Sequence, residues 1–147
     1  MALLLRNDIP LFEATAAAGL VGAYAVPVNW HGKGEEVGYV LQDCGARVLV
    51  AHADLLPGIA GHLPTGMRVL TVPTPPEVAA AYALDPARCA VAAGGIEWSA
   101  WLAGFAPWDK PPAASRGSMI YTSGTTGHPK GVQRRPAPPE QQQNIQR

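Results

Sequence analysis

The sequence has 147 residues, enough for one ordinary domain and too few for two comfortable ones. Apolar residues make up 48% and charged residues 15%, which favours a soluble globular class over disorder. Lysine and arginine number 11, as do aspartate and glutamate, so no basic excess argues for nucleic acid or an anionic membrane surface.

The apolar run Ala2-Leu3-Leu4-Leu5 predicts a strand buried on both faces. Asp8 followed by Pro10 marks a helix start, with Asn7 or Asp8 as the cap and proline in the first turn. Leu11, Phe12, Thr15, Ala18 and Gly19 then recur at helical spacing. Residues 24–29 (YAVPVN) predict a second strand, with Pro27 near its end. A helix follows over 34–46, with Val37, Val40, Leu41 and Cys44 on one face and Gly45 as its C-terminal cap.

Residues 47–51 and 67–72 predict a third and a fourth strand, and 53–62 carry a helical pattern interrupted by Pro57 and Gly58. Strand alternating with helix implies βαβ units, so the expected class is α/β: a mostly parallel sheet with flanking helices. From 73 to 95, prolines and alanines predict a surface excursion with a short helix over 76–84. Residues 96–105 (IEWSAWLAGF) are helical in spacing, with Trp98, Trp101 and Leu102 on one side and expected in the core. A linker over 107–115 leads to a final strand at 117–121.

Cys44 and Cys89 have no Cys or His neighbour at metal-ligand spacing and read as two reduced thiols of a cytoplasmic protein. The four histidines, His31, His52, His62 and His128, are scattered, and none reads as a metal ligand. No secretory leader is expected at the N-terminus: Arg6 follows the apolar run, and Asp8 and Glu13 interrupt it. The charge-free window from Ala14 to Gly32 is rich in alanine and glycine and contains Pro27, Asn29 and His31, so no membrane span is expected.

The stretch MIYTSGTTGHPKGV, from Met119 to Val132, carries the chemistry. A strand that ends in a glycine-rich turn presents consecutive backbone N–H groups with no Cβ in the way, a nest suited to polyphosphate. Thr122, Ser123, Thr125 and Thr126 add hydroxyl donors, and Lys130 adds a mobile positive charge. The common P-loop pattern fails, because the sixth position from Gly124 is Pro129 and Lys130 is followed by Gly131. The dinucleotide pattern G-x-G-x-x-G fails as well, because Gly124 is followed by Thr-Thr-Gly.

What YTSGTTGHPKG does resemble is the phosphate loop of the adenylate-forming enzymes: acyl-CoA synthetases, luciferases and peptide-synthetase adenylation domains. An apolar residue, a Thr/Ser pair, Gly, Thr/Ser, Thr, Gly, any residue, Pro, Lys and Gly all stand in order. Chance alone would produce that order about once in ten thousand such chains or less. Upstream, ALLLRN, GLVGAYAVPVNW and EEVGYVLQDCGARVLVA resemble in order and spacing the N-terminal half of the large domain of an acyl-CoA synthetase. Asn29-Trp30-His31 resembles the fatty-acid or bile-acid ligase-like members.

The resemblance implies a reaction in which a small-molecule carboxylate joins ATP, pyrophosphate leaves, and coenzyme A displaces AMP from the acyl-adenylate. It implies that Thr122, Ser123, Gly124, Thr125, Thr126, Gly127, Lys130 and Gly131 hold the ATP phosphates, with Mg2+ helping to offset charge and no metal ligand assigned to this chain. It also implies a partial adenylating domain over 1–135; the polar Pro/Gln-rich tail over 136–147 reads from its residues as the start of a truncated helix opened by Pro139. The family's later motifs are missing from these residues: the Tyr-x-x-Thr-Glu segment, the ribose-binding aspartate, the hinge and the C-terminal-domain lysine. The chain alone is therefore expected to be inactive, with exposed sheet edges that a second chain would complete. A non-catalytic remnant or interaction module, or another α/β nucleotide-binding protein, are the alternatives.

Overall fold

A computed structural model describes residues 1–114, 116–122 and 129–133. Its centre is a parallel sheet of five strands: β1 (Ala2–Leu4), β2 (Val26–Pro27), β3 (Val48–His52), β4 (Arg68–Val72) and β5 (Ile96–Glu97). Their spatial order is β2-β1-β3-β4-β5, with Leu3 opposite Val50, and Val50 opposite Leu70. The expected α/β architecture is therefore present.

Alternation along the strands builds two cores. Ala2, Leu4, Leu49 and Ala51 face α2 (Gly34–Asp43), which contributes Val37, Val40 and Leu41. Leu3, Leu5, Val50 and Leu70 face α1 (Ile9–Leu20), through Ala14 and Ala18, and Trp98 of α5 (Trp98–Ala103). Helices on both faces explain why β1 and β3 read as unbroken apolar runs.

Asp8 caps α1, accepting from the Leu11 N–H at 3.4 Å, with Pro10 in the first turn as expected. The face of α1 turned to the sheet is set differently from the sequence reading: Ala14 and Ala18 are buried, whereas Phe12 is 70% exposed. Small residues let the helix lie close to the sheet, and a Phe on that face would hold it off. Gly45, at φ 61°, follows the end of α2.

The helical pattern over 53–62 resolves into two 3-10 turns, Ala53–Gly58 and Ala60–His62, because Pro57 and Gly58 interrupt the ladder. These turns run directly against α2. A Cβ on Gly38 would stand 2.8 Å from both the Cβ and the carbonyl oxygen of His62, so close approach requires glycine there. Gly38→Ala is expected to lose about 1–2 kcal/mol, steric strain exceeding the gain in helix propensity. Gly19→Ala on α1, where nothing lies within 4 Å, should instead gain about 0.5–1 kcal/mol. Urea-melt midpoints that move in the same direction for both variants would contradict this packing.

Three readings change downstream. Residues 96–105 are not one helix: Ile96 and Glu97 extend as β5, and Glu97 then caps α5 by accepting from the N–H groups of Ser99 and Ala100. Leu102 is partly exposed rather than core, while Trp98 is buried and stacks on Trp101. The excursion over 73–95 holds two short helices, α3 (Pro76–Ala81) and α4 (Pro86–Cys89). The strand expected over 117–121 lies at Met119–Thr122 (β6) and is not the last, because β7 (Lys130–Gln133) returns antiparallel beside it. Sequence periodicity had no means to distinguish a strand that pairs with its successor from one that joins the parallel sheet.

Candidate functional site

The ribbon of β6 and β7 is the stem of the glycine-rich loop. Its ladder runs Met119↔Gln133, Ile120↔Val132, Tyr121↔Gly131 and Thr122↔Lys130. Residues directly opposite in such a ladder project to the same face, so the Thr122 hydroxyl and the Lys130 ammonium share one face at the loop mouth. Both are exposed. The ribbon is anchored at its other end: the Met119 N–H donates to Ala25 O at 2.9 Å, and the Met119 side chain enters the core beside α2. A parallel bridge between Ala25 and Ser118 ties it to the edge of the main sheet at β2.

Of the residues expected to hold phosphate, the structure thus brings Thr122, Lys130 and Gly131 together. Ser123, Gly124, Thr125, Thr126, Gly127 and the variable His128 lie outside the described residues, as does the tail from 134 to 147. Beside the stem opens a cleft of about 350 Å³, with Val28, Asn29, Glu36, Tyr121 and Pro129 among its lining residues. Among the described residues no cluster of His, Cys, Asp or Glu could hold a metal ion.

A second polar cluster lies where the strand order reverses, at the carboxyl ends of β1 and β3. In doubly wound sheets this crevice is the usual ligand position. Here side chains pair across it, beside a pocket of about 160 Å³ whose lining includes Leu4, Trp30, Asp54 and Arg88. Arg6 donates from both terminal nitrogens to Asp54, at 2.9 and 2.7 Å, and the Thr74 hydroxyl donates to the same carboxylate at 2.6 Å. The guanidinium carbon lies 4.8 Å from the Trp30 ring and 5.0 Å from the Tyr82 ring.

His52, fully buried, accepts at Nδ1 from the Arg6 N–H. Its proton is thereby assigned to Nε2, which faces Asp8 Oδ2 at 2.6 Å. Burial pulls the Asp54 carboxyl up, but the hydrogen bonds from Arg6 and Thr74 and the Arg6 charge outweigh it and leave it below its ordinary value. The hydrogen bond to Asp54 outweighs burial for Arg6 and holds it above its ordinary value. These bonds tie together the segments that leave β1, β3 and β4.

Sequence reasoning missed this cluster. Arg6 and Asp54 stand just beyond apolar strands and His52 ends one, which marks them as loop-edge residues. Only the β1–β3 pairing makes them neighbours.

The fold is that of a doubly wound α/β protein, the class that handles small ligands at the loop edge of its sheet. Residues 1–136 match the family described as AMP-binding enzyme. The chain belongs to that family. It is 35% identical over 136 residues to the mitochondrial malonate–CoA ligase ACSF3 of Bos taurus, covering 90% of this chain and 20% of the relative. It is 31% identical over 137 residues to the long-chain-fatty-acid–CoA ligase FadD13 of Mycobacterium tuberculosis, covering 90% and 24%. Among solved structures it is similar to the anthranilate CoA ligase AuaEII in complex with anthranoyl-AMP. There the TM-score is 0.71 and the identity 28%, over 90% of this chain and 24% of that one. The chain thus spans between a fifth and a quarter of the length of these proteins. No helix among the described residues is long and apolar enough to cross a membrane.

Proposed function

We propose that this chain carries the triphosphate-holding part of an AMP-forming carboxylate–CoA ligase. The observation that carries the reading is the closing pair of the stem, Thr122 opposite Lys130, at the two ends of the glycine-rich loop. Thr122, Ser123, Gly124, Thr125, Thr126, Gly127, Lys130 and Gly131 hold the β- and γ-phosphates of ATP, a donor set of hydroxyls, backbone N–H groups and one ammonium suited to oxyanions. A carboxylate approaching a triphosphate meets like charge, and these groups lower that repulsion and stabilise the departing pyrophosphate.

Mg2+ bound with ATP would supply further charge neutralisation, and the hydroxyls of Thr122, Ser123, Thr125 and Thr126 would help to place it. Coenzyme A and a small-molecule carboxylate complete the parent reaction, in the cytoplasm. The ribbon leaves Ile120 and Val132 partly exposed, and α1 leaves Ile9 and Phe12 exposed. Apolar surface of this kind fits completion by a second chain carrying the remaining motifs.

Titration of the chain with Mg·ATP tests the reading. The expected result is saturable binding displaced by inorganic pyrophosphate, with no carboxylate-dependent ATP–pyrophosphate exchange by this chain alone. Absence of pyrophosphate-competed binding would sink the phosphate assignment. Exchange by these 147 residues alone would overturn the expected inactivity.

A further inference from the structure

The loop stem is joined to the rest of the fold by a side chain that phosphate chemistry does not require. Tyr121, one residue before Thr122, donates from Oη to Asp43 Oδ2 at 2.5 Å. Asp43 is the last residue of α2, so this bond ties the ribbon to a helix embedded in the core. A carboxylate at that end faces the negative end of the helix dipole, and a phenol O–H donated to it offsets the repulsion.

The tyrosine ring also crosses the ribbon. A Cβ on Gly131, its ladder partner, would stand 2.9 Å from Tyr121 Cζ and 3.0 Å from Oη, so the ring takes this course only over glycine. Gly131 is therefore needed for packing as well as for any N–H it offers to phosphate. The next pair along the ladder is Thr122↔Lys130. Burial first, and then the hydrogen bond and charge of Asp43, hold the Tyr121 phenol protonated well above its ordinary range, so it remains a donor at neutral and mildly alkaline pH.

We propose that Tyr121 is a positioning residue: bonded to Asp43 and laid over Gly131, it sets the place of the loop mouth and so of the Lys130 ammonium relative to the triphosphate. The inference rests on the triphosphate reading above.

The test is the affinity of the 147-residue chain for Mg·ATP and for inorganic pyrophosphate, by calorimetry, in wild type, Tyr121→Phe, Asp43→Asn, Lys130→Ala and the Tyr121→Phe/Lys130→Ala double variant. Tyr121→Phe keeps the ring and loses the O–H, and should weaken both ligands by about 3–10-fold. Asp43→Asn keeps a carbonyl acceptor and should stay within about 2-fold of wild type. Once Lys130 is removed, Tyr121→Phe should have no further effect, because it acts through that ammonium. Amide exchange at Lys130 and Gly131 should accelerate in Tyr121→Phe while that at Leu49 in the core is unchanged.

Wild-type affinity in Tyr121→Phe, or an equal loss with and without Lys130, would overturn the positioning role and leave the triphosphate reading standing. A wild-type chain that binds neither ligand would overturn both.

Discussion

Asp54→Ala is expected to lower the stability of the chain by about 3–5 kcal/mol, the cost of leaving a buried charge without its partner. The Arg6 and Asp54 side chains are 8% and 4% exposed, so the guanidinium would be left largely buried without its carboxylate. Arg6 Nε has no hydrogen-bond partner among the described residues, and removing Asp54 would strand the two terminal nitrogens as well. Since domains of this kind are held by about 5–15 kcal/mol in all, a loss of that size should lower the melting temperature by about 10 °C or more. Asp109→Asn, at an exposed position, serves as the control and should stay within about 0.5 kcal/mol. A melt of Asp54→Ala that coincides with the control would refute the structural role of the cluster.

The same pair gives a pH dependence with a definite sign. The folded-state pKa of Asp54 is depressed, so its contribution is fully present above the ordinary carboxylate value of about 4. That contribution is lost as pH falls below that value and through the folded-state one. Arg6, held above its ordinary value, stays charged throughout and contributes no change in this window. Asp54→Asn should therefore show a shallower acid limb than wild type in denaturant melts between about pH 5 and pH 2.

Lys130→Ala is expected to weaken Mg·ATP binding by about 10–100-fold, the equivalent of one hydrogen bond to a charged group. The ammonium stands at the first residue of β7, paired with Thr122, and is exposed. Its removal therefore creates no cavity and should leave the melting temperature within about 2 °C of wild type. Lys130→Arg keeps the charge but replaces a point donor by a planar fork, and should recover only part of the affinity. Equal affinity in Lys130→Ala and wild type would remove the lysine from the phosphate site.

Much of this protein was legible because its signals are local. Ala2 to Leu5, the Asp8 cap with Pro10, and Val37, Val40 and Leu41 on α2 depend on neighbours within a few residues, where propensity and periodicity act. The phosphate loop is legible for the same reason: its chemistry needs glycines, hydroxyls and a lysine in one fixed order along the chain.

What only the tertiary structure decided depends on pairings between distant segments. Arg6 and Asp54 meet because β1 lies beside β3, and Tyr121 reaches Asp43 because the ribbon docks on the edge of β2 next to α2. The turn of β6 into an antiparallel partner, and the burial of Ala14 rather than Phe12, were settled by the same kind of contact. The sequence by itself determined the layers and the loop. Strand order and close approach decided which charges are buried as pairs and what holds the loop stem in place, because burial and pairing are properties of segments brought together and not of the order of residues within one.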